Sequence, residues 1–314
     1  MIPSIISYDS AIDLVTWTGA IEALRAGHRM PKARVGDLFL GPSDATLLNR
    51  AAYIEGVGYG VKAVTVFDQN PAAGLETVQG AMLVFEPDHG CVSAVIDSRL
   101  VTELKTAGDS VLGAQLLARP DSRHLLIVGA GTVAANLIKA YVEGFPALEK
   151  ISVWARRYEK AEALVEAMRA LPLDVDIVAV PDLADAVAQA DIVSTATMAR
   201  DPILKGEWVT PGTHVDLIGA FKADMREADD ALIASSSLFV DSRETTIRHI
   251  GELKIPIEAG VISAESVKGD LYDLVQGKPA RQSADEITVY KNGGGAHLDT
   301  MIAIYISKVM KASI

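Results

Sequence analysis

A chain of 314 residues has room for about two domains, and its 49% hydrophobic and 22% charged content is that of a protein with a well-buried core. A formal charge of -12 excludes a nucleic-acid surface and disfavours anionic lipid, and an anionic substrate would need a local gathering of Lys and Arg. The single cysteine, Cys91, excludes an intramolecular disulfide and points to a reducing compartment; it reads as a small apolar residue inside a strand.

The opening segment, MIPSIISYDSAIDL, has no basic stretch ahead of an apolar core and cleavage site. No apolar run approaches the roughly 20 residues that span a bilayer, so the expected location is cytoplasmic, with no membrane partner. Asp9 or Ser10 is placed to cap one helix continuing through Ala26, with Ile12, Val15, Ile21 and Leu24 on its apolar side. Strand patterns follow at 37–40, 45–48, 58–67 and 81–85. EPDHG at 86–90 reads as a hairpin turn into a strand at 91–96, and a helix covers 99–117. This half is strand-rich and largely antiparallel.

The polar stretch RPDSR at 119–123 marks a boundary, and a βα rhythm begins. Strands are expected at 124–129, 151–154, 177–180, 192–195, 213–218 and 238–240, with helices to about Glu143, over 159–170 and around 182–189. Units of this length imply an α/β fold with a Rossmann-type doubly wound parallel sheet. The final helix, after KNGGG, is expected to return to the first domain. The division is then 1–119 plus 296–314 for a discontinuous α+β domain and 120–295 for the Rossmann domain.

LLIVGAGTVAANLIKAY holds Gly129-x-Gly131-x-x-Ala134 after a strand and at a helix start. Gly129 permits the tight turn, Gly131 lets backbone approach a pyrophosphate, and Ala134 keeps the helix close to the sheet. The free amides at Thr132 and Val133 and the positive helix end then face the phosphates. Such turns also occur without ligands, but the βα units that follow favour a dinucleotide. An NAD site usually carries an acid about 20 residues on. Here Ala155, Arg156 and Arg157 stand there instead, and two arginines suit the 2′-phosphate of NADPH, unless they are only solvated surface cations. Thr195, Thr197, Gly219 and Ala220 follow the fourth and fifth strands, where a doubly wound sheet receives its ligand. The histidines His28, His89, His214, His249 and His297 share no ligand-like spacing, so no metal is expected.

The segments GVKAVTVFDQNP, TVQGAMLVFEPDHG, TELKTAGDSVLGAQLLARPDSRHLLIVGAG, ADIVSTAT, HVDLIGAFKADMREAD and TVYKNGGGAHLD together resemble the ornithine cyclodeaminase/mu-crystallin family over nearly the whole chain. The resemblance implies a substrate-binding and dimerisation domain joined by the last helix, a homodimer, and a central NAD(P)H-binding domain. Members reduce cyclic or linear imino acids, deaminate amino acids oxidatively, or cyclise ornithine. Reducing an imine beside a carboxylate needs a hydride donor, a cation and a proton source. Lys62 lies in a strand among apolar neighbours and needs a partner, since burying an unpaired ammonium is costly. By resemblance Lys62 meets substrate carboxylate and imine, and Arg34 the carboxylate. Thr77 and Lys105 correspond to cofactor contacts, although relatives carry arginine at position 105 and lysine loses its bidentate fork. The loop at 291–295 resembles one closing over the nicotinamide, with Lys291 toward the coenzyme and Asn292 and Gly293 toward substrate.

Two departures sort the branches. Gly219-Ala220-Phe221 lacks the aspartate that ornithine-cyclising and alanine-oxidising members carry there, which disfavours both activities. Asp224 instead resembles the acid of the ketimine reductases, unless it caps a helix or pairs with Arg226 or Lys222. Asn49-Arg50 replaces the family's usual Met-Pro, and a cation beside the strand of Lys62 suits a second substrate carboxylate. The preferred expectation is therefore reduction of a small diacid imine, iminosuccinate, to L-aspartate. The chain resembles iminosuccinate reductases of this family, which implies NADH against the arginine signal. Arg50 could instead pair with Glu55 or Asp44. The alternative is reduction of a cyclic imine, pyrroline-2-carboxylate, to proline. A non-catalytic mu-crystallin-like binding protein is the reading from a different class.

Overall fold

In the computed structural model, which describes residues 2–278 and 280–313, the first departure from the sequence pattern comes at Thr16. The expected single helix is two, α1 (Tyr8–Ala11) and α2 (Trp17–His28), because the Thr16 side chain accepts from Gly19 N and caps a new start. The chain divides into two units, Met1–Thr106 with Gly295–Ile314, and Ala107–Gly294.

In the first unit, β1 (Ser4–Ile6), β2 (Arg34–Leu40), β3 (Ala45–Ile54), β4 (Gly58–Phe67), β5 (Val78–Phe85) and β6 (Val92–Asp97) form one sheet in the order β1-β6-β5-β4-β3-β2. From β2 to β6 the neighbours are antiparallel; β1 joins β6 in parallel. β2, β3 and β5 each extend beyond the runs expected from sequence. Cys91 is exposed just before β6 rather than inside a strand. The last helix, Ala296–Ala312, packs on one face of this sheet. A Cβ at Gly60 would overlap Thr300 of that helix, and one at Gly27 of α2 would overlap Met301, so both glycines are there for close approach.

Helix α3 (Ser98–Leu117) runs through the division at residues 106 and 107, so the boundary falls inside a helix rather than at RPDSR. Its second half belongs to the second unit's interior: Val111, Leu112 and Leu117 are fully buried and a Cβ at Gly113 would meet the Tyr290 ring. The second unit's strands are β7 (His124–Val128), β8 (Lys150–Trp154), β9 (Asp176–Ala179), β10 (Ile192–Thr195), β11 (His214–Leu217), β12 (Ser237–Val240), β13 (Val267–Asp270) and β14 (Thr288–Lys291). They form a parallel sheet in the order β13-β12-β14-β11-β10-β7-β8-β9. Helices α4 (Thr132–Gly144), α5 (Tyr158–Arg169) and α6 (Leu183–Gln189) link the first four of these strands. Reading β9-β8-β7-β10-β11 reproduces the dinucleotide-binding order, with the strand order reversing between β7 and β10. Strands β13 and β14 are not among the expected strands. Each has four residues, too few to show a period, and β14 sits between β11 and β12. Among the described residues no helix is long and apolar enough to cross a membrane.

Candidate active site

The glycine turn sits at the reversal point. Gly129 has φ +135°, and a Cβ there would lie 2.6 Å from Ala196 O at the end of β10, so conformation and space both require glycine. Gly131, the N-cap of α4, has no atom within 4 Å of where a Cβ would be and offers no side-chain cap. The space beside Gly131 is therefore open at the positive end of a helix that has no side-chain cap, the condition for anion binding. Thr132 and Val133 are exposed there, and Ala134 is fully buried. A cavity of about 480 Å³ adjoins the turn, lined among others by Gly129, Trp154, Ala155, Arg156, Arg157 and Lys160. Lys160 is a third cation that motif reading missed; it lies one helical turn from Arg156 and Arg157, and no acid joins them in the lining. An uncapped helix start with open space beside it, next to a cationic cavity, fits a dinucleotide with its phosphates on α4.

The tips of β10 and β11 are organised by a residue the sequence reading passed over. Glu227 is fully buried. Its Oε1 accepts from Thr197 N at 2.7 Å and Thr197 Oγ1 at 2.6 Å. Its Oε2 accepts from Thr195 Oγ1 at 2.8 Å, Gly219 N at 2.7 Å and Ala220 N at 3.2 Å. The four positions expected to touch the coenzyme therefore converge on one carboxylate. Glu252 in turn accepts from Glu227 N at 2.8 Å and Ala228 N at 2.9 Å, and burial pushes its carboxyl up to about 7. Asp216, on β11, takes hydrogen bonds from Ser194 and Ser110, and burial raises it likewise to about 7.

The glycine loop differs from expectation. Lys291 ends β14 with its ammonium in the interior, donating to Leu217 O at 2.7 Å; burial pulls its pKa down while Glu252, Glu227, Asp216 and Asp241 oppose that. Its charge lies among these buried acids. Asn292 is buried and donates to Ser110 Oγ at 3.2 Å. Gly293 N and Gly294 N both donate to the buried Asp241 carboxylate, and a Cβ at Gly293 would overlap Thr246. Asp224, expected as an acid of the site, is exposed and pairs with Arg200 at 3.0 Å. That hydrogen bond holds its carboxyl below the usual range.

In the first unit the strand register sets Asp37 opposite Arg50, Arg50 opposite Lys62 and Lys62 opposite Met82. Like charges facing each other across strands destabilise a sheet. Each is neutralised: Arg50 bonds Asp37 at 2.8 Å, and Lys62 bonds Asp299 of the last helix at 2.8 Å. Arg50 thus pairs with Asp37, an acid that was not among the expected partners Glu55 and Asp44. Lys62 and Asp299 are both buried, and Asp299 Oδ2 has no hydrogen-bond partner among the described residues. Beside them His297 is buried edge-on to His28, and burial, reinforced by His28, Lys105, Arg50 and Lys32, drives its pKa well down. Lys105, Arg50 and Lys32 thus all act on His297 from nearby. Arg34 stands out of phase: it pairs with Tyr53, and alternation along β2 sends it to the sheet face opposite Asp37, Arg50 and Lys62. Thr77 is half-buried just before β5. Asp299, Lys32 and His297 were missed because no motif marks them; a lysine in an apolar strand calls for a balancing acid but does not say which one.

Fold and site define a Rossmann-type dinucleotide-binding unit joined to a sheet unit that carries a buried lysine–aspartate pair. Residues 41–313 match the model of the ornithine cyclodeaminase/mu-crystallin family, and the chain belongs to that family. It is 64% identical over 309 residues, 98% of this chain and 97% of the relative, to the Delta(1)-pyrroline-2-carboxylate reductase of Paracoccus denitrificans. The Thermococcus litoralis Delta(1)-pyrroline-2-carboxylate reductase, solved with NADH and L-proline, superposes with a TM-score of 0.91 at 28% identity, covering 99% of this chain and 98% of that one. The iminosuccinate reductase of Paracoccus denitrificans, solved with NAD+, gives 0.90 at 26% identity, covering 99% and 97%.

Proposed function

We propose that this chain is a nicotinamide-dependent imino-acid reductase that converts pyrroline-2-carboxylate to L-proline. The observation that carries the reading is 64% identity along almost the full length of a pyrroline-2-carboxylate reductase, against 26% to an iminosuccinate reductase from the same organism. The iminosuccinate expectation leaned on Arg50 as a second carboxylate grip, and the Arg50–Asp37 ion pair supports a local role for that charge instead.

When bound, the coenzyme supplies the hydride that the imine carbon accepts. Lys62 is the residue proposed to hold the substrate carboxylate and keep the imine nitrogen protonated, with Asp299 fixing the ammonium from behind. Lys32 and Lys105, whose charges are felt at His297, would favour a small anion here. We read the coenzyme preference from Arg156, Arg157 and Lys160, which line the cavity without an acid, as NADPH over NADH. Leu38, Phe39 and Leu40, about half to two-thirds exposed on the edge strand β2, suggest a second copy of the chain as the partner that covers them.

Steady-state oxidation of NADH and NADPH with pyrroline-2-carboxylate and with iminosuccinate tests this. Expected is turnover with the cyclic imine that exceeds turnover with the diacid. Coenzyme binding with no turnover on any imino acid would identify a binding protein instead.

A further inference from the structure

We propose that Glu227 is a positioning residue for the coenzyme: a single buried carboxylate that sets the ends of β10 and β11 in their ligand-facing shape. The inference rests on the reading that the second unit holds a pyridine coenzyme. In a doubly wound sheet the ligand lies outside the carboxyl ends of the strands at the reversal of order. The residues just there, beyond regular strand pairing, are Ala196 and Thr197 after β10 and Ile218 to Ala220 after β11.

Glu227 gathers five hydrogen bonds from Thr195, Thr197, Gly219 and Ala220, three of them from backbone amides. A trans peptide directs its carbonyl opposite to its N–H. Turning the amides of Thr197, Gly219 and Ala220 onto the carboxylate therefore turns the carbonyls of Ala196, Ile218 and Gly219 away from it. The two tips also touch, since a Cβ at Gly219 would overlap Thr197 backbone and lie 2.6 Å from Glu227 Oε1. A neutral amide at position 227 would aim donors at donors and free these peptides to rotate. Glu227 is itself fixed, because Glu252 holds its backbone nitrogen. The buried cation Lys291 donates to Leu217 O, and the hydrogen bonds that hold the Glu227 carboxylate come from oriented amides and hydroxyls.

The test is coenzyme binding, followed by quenching of tryptophan fluorescence, for the full chain and for the variants Glu227→Gln and Thr195→Val. Thr195 is fully buried and does not line the cavity, so Thr195→Val removes one arm of the cluster with little change of shape. At a temperature where circular dichroism shows all chains folded, Glu227→Gln should raise the Kd for NADH and NADPH at least about ten-fold, and Thr195→Val about three- to ten-fold. The KM for the imino acid should stay within about two-fold. Folded variants that bind coenzyme as the unaltered chain does would overturn the proposal and leave Glu227 a stability residue. If Glu227→Gln does not fold, Thr195→Val decides alone. An unaltered chain that bound neither nucleotide would sink the coenzyme reading, and this inference with it.

Discussion

Lys62 places an ammonium inside an apolar strand, where Asp299 meets it at 2.8 Å; the lysine side chain is nearly buried and the aspartate fully so. Breaking a buried pair from one side leaves an uncompensated charge, at a cost of about 3–5 kcal/mol. Asp299→Asn should therefore lower both the unfolding free energy and kcat/KM for the imino acid, while coenzyme Kd, titrated separately, stays near its original value. Arg50→Ala should leave cyclic-imine turnover within about three-fold, since its partner is an exposed-side aspartate and such pairs contribute little. A large loss of turnover in that variant would return Arg50 to the substrate. Lys62 could be singled out from sequence because a lysine in an alternating apolar run breaks pattern. Its partner could not, because Asp299 is 237 residues away and nothing local distinguishes it from a helix-surface acid.

The glycine turn and the helix it opens make a sharper pair of outcomes at the scale of one element. Gly131→Ala adds a methyl group to open space at ordinary φ, so its melting temperature should barely move, yet the methyl group stands where phosphate must approach and coenzyme affinity should fall. Gly129→Ala meets Ala196 O and a φ of +135°, so it should lose stability first, by about 1–3 kcal/mol. Replacing Arg156 and Arg157 together by serine should lower kcat/KM with NADPH by about ten- to a hundred-fold and change NADH little; equal losses with both would remove the 2′-phosphate reading. The β7–α4 turn was readable because apolar run, glycine spacing and helix start coincide. The one-helix reading of the first segment failed for a local reason, the Thr16 cap, and β14 escaped because a four-residue strand beside a glycine triplet carries no periodic signal. The acids beneath β11 were not readable at all, since Glu227 and Glu252 come together only through the fold.

Across the whole molecule, buried acids make stability depend on pH in an unusual direction. Asp216 and Glu252 are pushed up to about 7 from 3.8 and 4.5, so between those values the folded chain holds protons the unfolded chain has released. Their contribution is fully present in acid and declines as pH rises toward 7. The stability of Glu252→Gln relative to the unaltered chain should therefore rise between about pH 5 and 8, on the order of 2–3 kcal/mol, by urea denaturation at each pH. No rise would mean that Glu252 is ionised throughout. The first unit is also interrupted in sequence: its sheet is complete by Asp97, but the helix that covers it begins at Ala296. All of Ala107–Gly294 is synthesised in between, a wait on the order of 10–40 s at about 5–20 residues per second. Through that interval a nascent chain displays the oily side of an unroofed sheet, with Val64, Met82 and Ile96 uncovered, so the window for chaperone capture opens early and closes only when the last helix emerges.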